Sequence, residues 1–232
     1  MCIIPAREES KRFPRKVLFE ISGKPIIGYV IDGCINSDAK RVIVATDSEE
    51  IAQVSKKFGA EAVITGDANS GSDRVAKVVK TLNLKEEFVI NVQGDEPLVE
   101  GELINRVARE LQNKDVEIST PVYEISNSEE AKNYNRVKVI TDNKWNALYF
   151  SRYPIPFGSS KFFIHIGIYG FRRDALFKYT SLKPSKLELV EKLEQLRALE
   201  NGMKIKIVKW DKVMISVDTP EDIDEVKRFL KL

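Results

Sequence analysis

Residues 2–16 read Cys2-Ile3-Ile4-Pro5-Ala6-Arg7-Glu8-Glu9-Ser10-Lys11-Arg12-Phe13-Pro14-Arg15-Lys16. The apolar run Cys2-Ile4 reads as a first strand. Five cations, Arg7, Lys11, Arg12, Arg15 and Lys16, then fall within ten positions. A cationic loop at the end of a first strand suits a polyphosphate. No glycine stands between Ile3 and Ile21, so neither a Gly-rich dinucleotide fingerprint nor a Walker loop is present. Phosphate binding would rest on side-chain cations and nearby backbone N–H groups. Arg7 and Arg12 offer planar forks and Lys16 a point charge. Taken alone, such a cluster is more often a solvated basic loop. Its place directly after a strand gives it weight.

Working outward, short β-rich runs recur at Arg41-Ala45, Ala62-Thr65, Phe88-Val92 and Glu117-Val122. Amphipathic stretches lie at 25–37, 48–58, 72–82 and 100–113. The alternation predicts βαβ units and a mixed, mostly parallel sheet with helices on both faces. Such sheets bind ligands beyond the C-terminal ends of their strands. Arg7, Thr46, Asp47, Gln93 and Asp95 all follow strand ends. Val137-Thr141, Trp145-Phe150 and Phe162-Phe171 read as strands without full intervening helices, an antiparallel excursion. Leu187-Asn201 is predicted as one helix closed by Gly202, and Lys204-Trp210 as a strand. Thr219-Pro220-Glu221-Asp222 reads as a helix start, with Thr219 as N-cap, Pro220 at N1 and Asp222 at N3. Without a repeat or linker, a single domain over 1–232 is expected.

Two acidic contexts complete the pattern: Gly94-Asp95-Glu96-Pro97 and Val217-Asp218-Thr219-Pro220. Each Asp ends an apolar strand-like run, which suits a divalent cation. Magnesium takes a few carboxylates plus phosphate oxygens and waters, so Asp95 and Asp218 suffice as protein ligands. The plainer readings are a turn former before Pro97 and a helix-terminal cap. Thr219 is the better placed cap, which leaves Asp218 available. Glu96 and Asp222 read as structural. Cations plus metal-binding carboxylates in an α/β chain point to nucleotidyl or phosphoryl transfer.

Composition excludes several classes. A hydrophobic content of 43% with 31% charged residues describes a globular chain. A net charge of +2 is too small for a general nucleic-acid binder. Two cysteines, Cys2 and Cys34, argue against a disulfide scaffold and fit a reducing cytosol. No apolar run approaches the ~20 residues that span a bilayer, and the first residues lack signal-peptide character. A cytoplasmic protein with no membrane or nucleic-acid partner is expected.

The 2–16 stretch is similar to the Pro-Ala-Arg-x-x-Ser-x-Arg-x-Pro-x-Lys signature of the 3-deoxy-D-manno-octulosonate (Kdo) cytidylyltransferases, or CMP-Kdo synthetases. Further matches follow in family order. They are Val44-Ala45-Thr46-Asp47, Ser70-Gly71-Ser72-Asp73-Arg74, Asn91-Val92-Gln93-Gly94-Asp95-Glu96-Pro97 and Ala147-Leu148-Tyr149-Phe150-Ser151-Arg152. Then come His165-Ile166-Gly167-Ile168-Tyr169-Gly170, Leu193-Glu194-Gln195-Leu196-Arg197 and Val217-Asp218-Thr219-Pro220-Glu221-Asp222. The resemblance covers nearly the whole chain. It departs where Ser72 and Asp73 stand for Thr and Glu, a change that keeps the hydroxyl and the acid. It also departs in the short 157–164 loop, where many relatives carry an insertion.

The resemblance implies a Rossmann-like nucleotide-diphospho-sugar transferase fold and the reaction CTP + Kdo → CMP-Kdo + pyrophosphate, for lipopolysaccharide synthesis. It implies that Asp95 and Asp218 hold magnesium, with Arg7 and Lys16 stabilising charge on the transferring phosphates. Ala6, Arg7, Ser10, Arg12 and Lys16 would meet the nucleotide, with Thr46, Asp47, Gly71, Ser72, Arg74, Gln93 and Gly94. Gln93, Arg152, His165, Tyr169, Glu194 and Gln195 would meet the sugar, with Arg152 as a fork for the Kdo carboxylate. A homodimer is implied. By composition alone, Glu194 and Gln195 would be a solvated helix face, and a lone His165 in an apolar strand a core residue. Two alternatives stay open. A sialic acid cytidylyltransferase is disfavoured because Glu9-Ser10-Lys11-Arg12 replaces the Gly-Ser-Lys-Gly segment of those enzymes. A silent nucleotide-binding protein is disfavoured by intact Arg7, Lys16, Asp95 and Asp218.

Overall fold

The computed structural model describes residues 1–9, 12–126 and 128–231. The chain forms two compact units, one of Met1–Arg106 with Met214–Leu232, the other of Val107–Val213.

In the first unit, β1 (Cys2–Ala6) leads through a single 3-10 turn (Lys16–Leu18) and a short hairpin, β2 (Glu20–Ile21) with β3 (Lys24–Pro25), into α1 (Ile26–Ile35). Then follow β4 (Val42–Thr46), α2 (Glu49–Lys57), β5 (Glu61–Ile64), α3 (Gly71–Thr81), β6 (Phe88–Val92) and α4 (Gly101–Glu110), within which the unit ends. Strands run parallel in the order β5-β4-β1-β6. Every residue of β1 and β4 is buried, as expected for strands with neighbours on both sides and near-continuous apolar sequence. Taken as four successive parallel strands, the order is third-second-first-fourth. The chain direction across the sheet therefore reverses between β1 and β6. That switch point is where open α/β sheets bind ligands, outside the carboxyl ends of the strands. The residues that leave it are Arg7 after β1 and Gln93-Gly94-Asp95 after β6.

Close backbone contact fixes the segment that follows Asp95. A Cβ on Gly33 of α1 would lie 2.3 Å from the Val99 carbonyl oxygen, and one on Gly101 would lie 2.1 Å from that of Asn36. Backbone cannot yield as a flexible side chain does. Gly101→Ala is therefore expected to destabilise the protein by ~1–3 kcal/mol, the usual cost of overpacking. Thermal melting checks this; an unchanged melting temperature would contradict the close approach.

In the second unit, β7 (Ile118–Ile125) is the trunk. It is followed by α5 (Ser128–Ala131), β8 (Lys138–Thr141), β9 (Ala147–Ser151), β10 (Phe162–His165) and β11 (Ile168–Arg172). After these come α6 (Arg173–Ser181), α7 (Lys186–Glu191), α8 (Leu196–Glu200) and β12 (Ile205–Trp210). β12 runs parallel to β7, while β10 and β11 run antiparallel to it, β8 to β10, and β9 to β8. The expected antiparallel excursion is thus present. The first unit is completed by α9 (Asp222–Leu230).

Three expectations need correction, and one helix, α6, was not expected. The 162–171 segment is two strands. His165 pairs with Val122 and Gly170 with Ser119, so five steps on one strand match three on the other. The two extra residues form a bulge, closed by Ile168 N–H donating to the Ile166 carbonyl at 2.6 Å. Next, 187–201 is two helices. Lys192 adopts the left-handed conformation at the end of α7, with φ 55°. The cause is a buried ion pair, in which both nitrogens of the Arg197 fork meet the Glu188 carboxylate. A straight helix would separate residues nine apart by ~13.5 Å along its axis; the break folds them together. Gly202, with φ +72°, does end the second helix. α6 went unread, because its weak apolar stripe leaves Phe177 exposed. Finally, α9 begins at Asp222, after a turn at 219–221. Thr219 is not its cap. Asp222 reaches back and accepts from the N–H groups of Asp218 at 2.8 Å and Thr219 at 2.7 Å.

Candidate active site

Three distant segments meet at the switch point of the first unit. The Val217 N–H donates to the Asp95 carbonyl at 2.9 Å. Beside it, the Ser216 hydroxyl donates to buried Glu96 at 2.5 Å. These two bonds dock the extended 216–218 segment onto the 95–96 turn and set Asp218 next to Asp95. Lys16, at the start of the 3-10 turn, points its ammonium into the gap. Nζ donates to the Asp95 carboxylate, to the Val217 carbonyl at 2.8 Å and to Asp218 Oδ1 at 3.5 Å. Arg12 reaches the same Asp218 oxygen at 2.7 Å. Burial opposes the charge on Lys16, but Asp95 first and Asp218 second outweigh it and hold the pKa above the usual lysine value. Arg7 is exposed and makes no ion pair among the described residues. It is a cation available to an incoming anion.

Two hard carboxylates that converge on one ammonium form a cation slot. Asp95 and Asp218 remain 24% and 25% exposed, so a ligand can reach them. Among the described residues no three His, Cys, Asp or Glu side chains cluster as a metal cage. Two carboxylates of this kind are the donor set that a hard divalent cation such as magnesium would take, with phosphate oxygens and waters as its other ligands.

The remaining residues expected on the nucleotide side form a braced wall. Ala6 ends β1 opposite Thr46 of β4. The Thr46 hydroxyl accepts from the Ser48 N–H at 3.1 Å. Asp47 accepts from the Glu8 N–H at 3.1 Å and from Arg74 at 2.7 Å, and Arg74 also donates to Thr65 at 2.7 Å. Buried Arg74 therefore ties the start of α3 to the end of β4 and to the cationic loop. Ser70 caps α3, accepting from the Asp73 N–H at 3.1 Å. Gln93 donates to Asn91 at 3.3 Å, and Asn91 donates to the buried Ser72 hydroxyl at 3.4 Å. A Cβ on Gly71 would lie 3.2 Å from the Gln93 amide, and one on Gly94 would lie 3.1 Å from the Pro5 carbonyl. Both glycines keep the wall tight. Ser10 lies outside the described residues. Asn91, fully buried here, is not among the expected site residues; an Asn within an otherwise apolar strand-like run was the available signal.

In the second unit, His165 ends β10. Its Nε2 lies 2.8 Å from the Thr120 hydroxyl. Its ring meets Phe150 edge-on at 5.4 Å and Tyr169 at 5.1 Å. Burial lowers its pKa from 6.5 to about 3, so the ring is neutral. The ring keeps one protonation state across the physiological range. Stability carries the linkage. Between pH ~6.5 and ~3 the unfolded chain binds the proton and the folded chain does not, so stability falls as pH drops through that window. The loss amounts to at most about 5 kcal/mol. His165→Phe is expected to flatten this acid limb in melting temperature measured against pH; an unchanged limb would contradict it.

Arg152 braces backbone carbonyls in this structure. Its guanidinium donates to the carbonyls of Tyr134 at 2.9 Å, Glu191 at 2.9 Å and Lys192 at 3.2 Å. The last two are carbonyls at the C-terminus of α7, where a cation is favoured. Glu191 returns the contact, accepting from Ser151 at 2.9 Å and from the Arg152 N–H at 3.0 Å. Fully buried Lys138, unmarked in the sequence, donates to the carbonyls of Asn133, Arg136 and Arg152 at 3.0, 2.6 and 2.5 Å. Burial, then the Arg152 charge, lowers its pKa to about 8, against the pull of Glu191. The Glu194 carbonyl accepts from Tyr179 at 2.8 Å, and Gln195 is buried at the head of α8. Gln195 is thus not part of the solvated helix face that composition described, and half-buried Glu194 lies in the turn before α8.

A family model for cytidylyltransferases matches residues 1–205. The 3-deoxy-manno-octulosonate cytidylyltransferase of Chelativorans sp. is 43% identical, over 98% of this chain and 95% of its own. The enzyme named 3-deoxy-manno-octulosonate cytidylyltransferase 1 of Actinobacillus pleuropneumoniae serotype 5b is 41% identical over 98% of both. The chain belongs to the 3-deoxy-manno-octulosonate cytidylyltransferase family. A solved structure, a CMP:2-keto-3-deoxy-manno-octonic acid synthetase complexed with CTP, superposes with a TM-score of 0.91 at 33% identity. It covers 99% of this chain and 97% of its own.

Proposed function

We propose that the chain transfers CMP from CTP to Kdo and releases pyrophosphate, with magnesium as cofactor. The observation that supports this most is the Lys16 ammonium held between Asp95 and Asp218 at the β1/β6 switch point. The anomeric 2-hydroxyl of Kdo attacks the α-phosphorus. A new P–O bond forms, the α–β phosphoanhydride bond breaks in line, and the hydroxyl proton passes to water. Such transfer is mainly positioning and charge stabilisation. Arg7 and Arg12 bind phosphate oxygens, and Lys16 neutralises charge on the transferring and leaving groups. Asp95 and Asp218 hold magnesium, which supplies further neutralisation of the phosphates when bound. Gly71, Ser72 and Gln93 shape the cytidine side, supported by Arg74 and Asp47. His165, Tyr169, Glu194 and Gln195 handle the sugar.

A cytoplasmic homodimer completes the reading. Cys2 and Cys34 are free thiols, and among the described residues no helix is long and apolar enough to cross a membrane. Tyr134, Leu148, Tyr153, Phe157, Leu189 and Val190 are exposed in the second unit, on or beside edge strand β9 and α7. Association would remove them from water. Pyrophosphate release should require both CTP and Kdo, and should fall sharply with ATP or with sialic acid. Equal release with ATP, or without Kdo, would contradict the reading.

A further inference from the structure

Thr120, in the middle of β7, carries no role in the reading above. Its side chain is fully buried. Its hydroxyl makes two contacts: the Ile168 carbonyl at 2.6 Å and His165 Nε2 at 2.8 Å. A hydroxyl has one proton. The Ile168 carbonyl can only accept, so the proton goes there. The oxygen is then left with lone pairs, and His165 must donate to it. The Nε2 atom therefore carries the hydrogen. A neutral imidazole has only one, so Nδ1 is left with a bare lone pair. The bulge between β10 and β11 makes this possible, because it brings the His165 ring and the Ile168 carbonyl onto one residue of the facing strand.

We infer that Thr120 is a positioning residue that locks His165 in the Nε2–H tautomer, so that His165 meets the substrate only as a hydrogen-bond acceptor. Nδ1 has no partner among the described residues, and His165 is partly accessible. Its matching group on the substrate is a hydroxyl that donates. A carboxylate, which only accepts, does not suit it. The lowered pKa agrees, since a protonated ring would present a donor at both nitrogens. This inference rests on the sugar-side reading of His165 and assigns it to a Kdo hydroxyl and not to the Kdo carboxylate.

The test is direct because His165 is the only histidine. In tag-free protein labelled with ¹⁵N-histidine, the imidazole spectrum reports one residue. The expected wild-type pattern is a protonated Nε2 and an unprotonated Nδ1. Thr120→Ser should keep that pattern and near-normal kinetics. Thr120→Val should lose the single tautomer, raise KM for Kdo roughly five- to tenfold, as one lost hydrogen bond does, and leave KM for CTP unchanged. A wild-type Nδ1–H tautomer, or an unchanged tautomer in Thr120→Val, would overturn the positioning role. A tautomer that shifts with no change in KM for Kdo would instead overturn the placement of His165 at the sugar.

Discussion

Asp95→Asn and Asp218→Asn are each expected to lower turnover about 10²- to 10³-fold, with little change in melting temperature. Asparagine keeps the shape but removes the anionic oxygen that completes the cation slot. Loss of metal positioning costs several kcal/mol in the transition state, and each ~1.4 kcal/mol is a factor of ten. Folding is spared for a separate reason. Both carboxylates are about a quarter exposed, and Lys16 keeps the Val217 carbonyl together with the remaining aspartate. Steady-state kinetics across a magnesium titration, with melting curves, checks this. Near-normal turnover of both variants at saturating magnesium would remove the two aspartates from the metal site.

Arg152→Ala is expected to act first on stability. The family resemblance implies a fork for the Kdo carboxylate. In this structure three backbone carbonyls accept from it, two of them at the C-terminus of α7. A hydrogen bond to a charged group contributes ~1.5–3 kcal/mol, and part of that is recovered when water reaches exposed carbonyls. A loss of ~3 kcal/mol or more is expected. It should fall on the second unit, and local hydrogen exchange would place it at α7 and residues 133–136. The surviving folded enzyme should keep its dependence on CTP. Unchanged stability with a large loss confined to Kdo would return Arg152 to the sugar-binding set.

What the sequence revealed follows from where each signal is stored. β1, β4 and β6 are short apolar runs because both faces are buried, so composition alone marks them. The Asp95 and Asp218 contexts were visible because each follows an apolar run, which forms strand β6 before Asp95 and an irregular segment before Asp218. The break at Lys192 was not, since the 187–201 pattern is amphipathic throughout. The cause is a pair, Glu188 with Arg197, that only the bent form can make. The bulge at 166–167 was hidden because register belongs to the partner strand β7. The braces of Arg152 and Lys138 were hidden for a further reason. Their acceptors are backbone carbonyls, which every residue carries and no side-chain pattern displays.

Everything proposed for the site turns on one bond, formed between CMP and Kdo at the α-phosphorus of CTP. Phosphorus NMR of a reaction mixture of the protein, CTP, Kdo and magnesium follows that bond as it forms. The three CTP resonances should decay together into one phosphodiester resonance and one pyrophosphate resonance, at equal molar rates and only when Kdo is present. Formation of CDP and inorganic phosphate, or of pyrophosphate with free CMP from the outset, would contradict it.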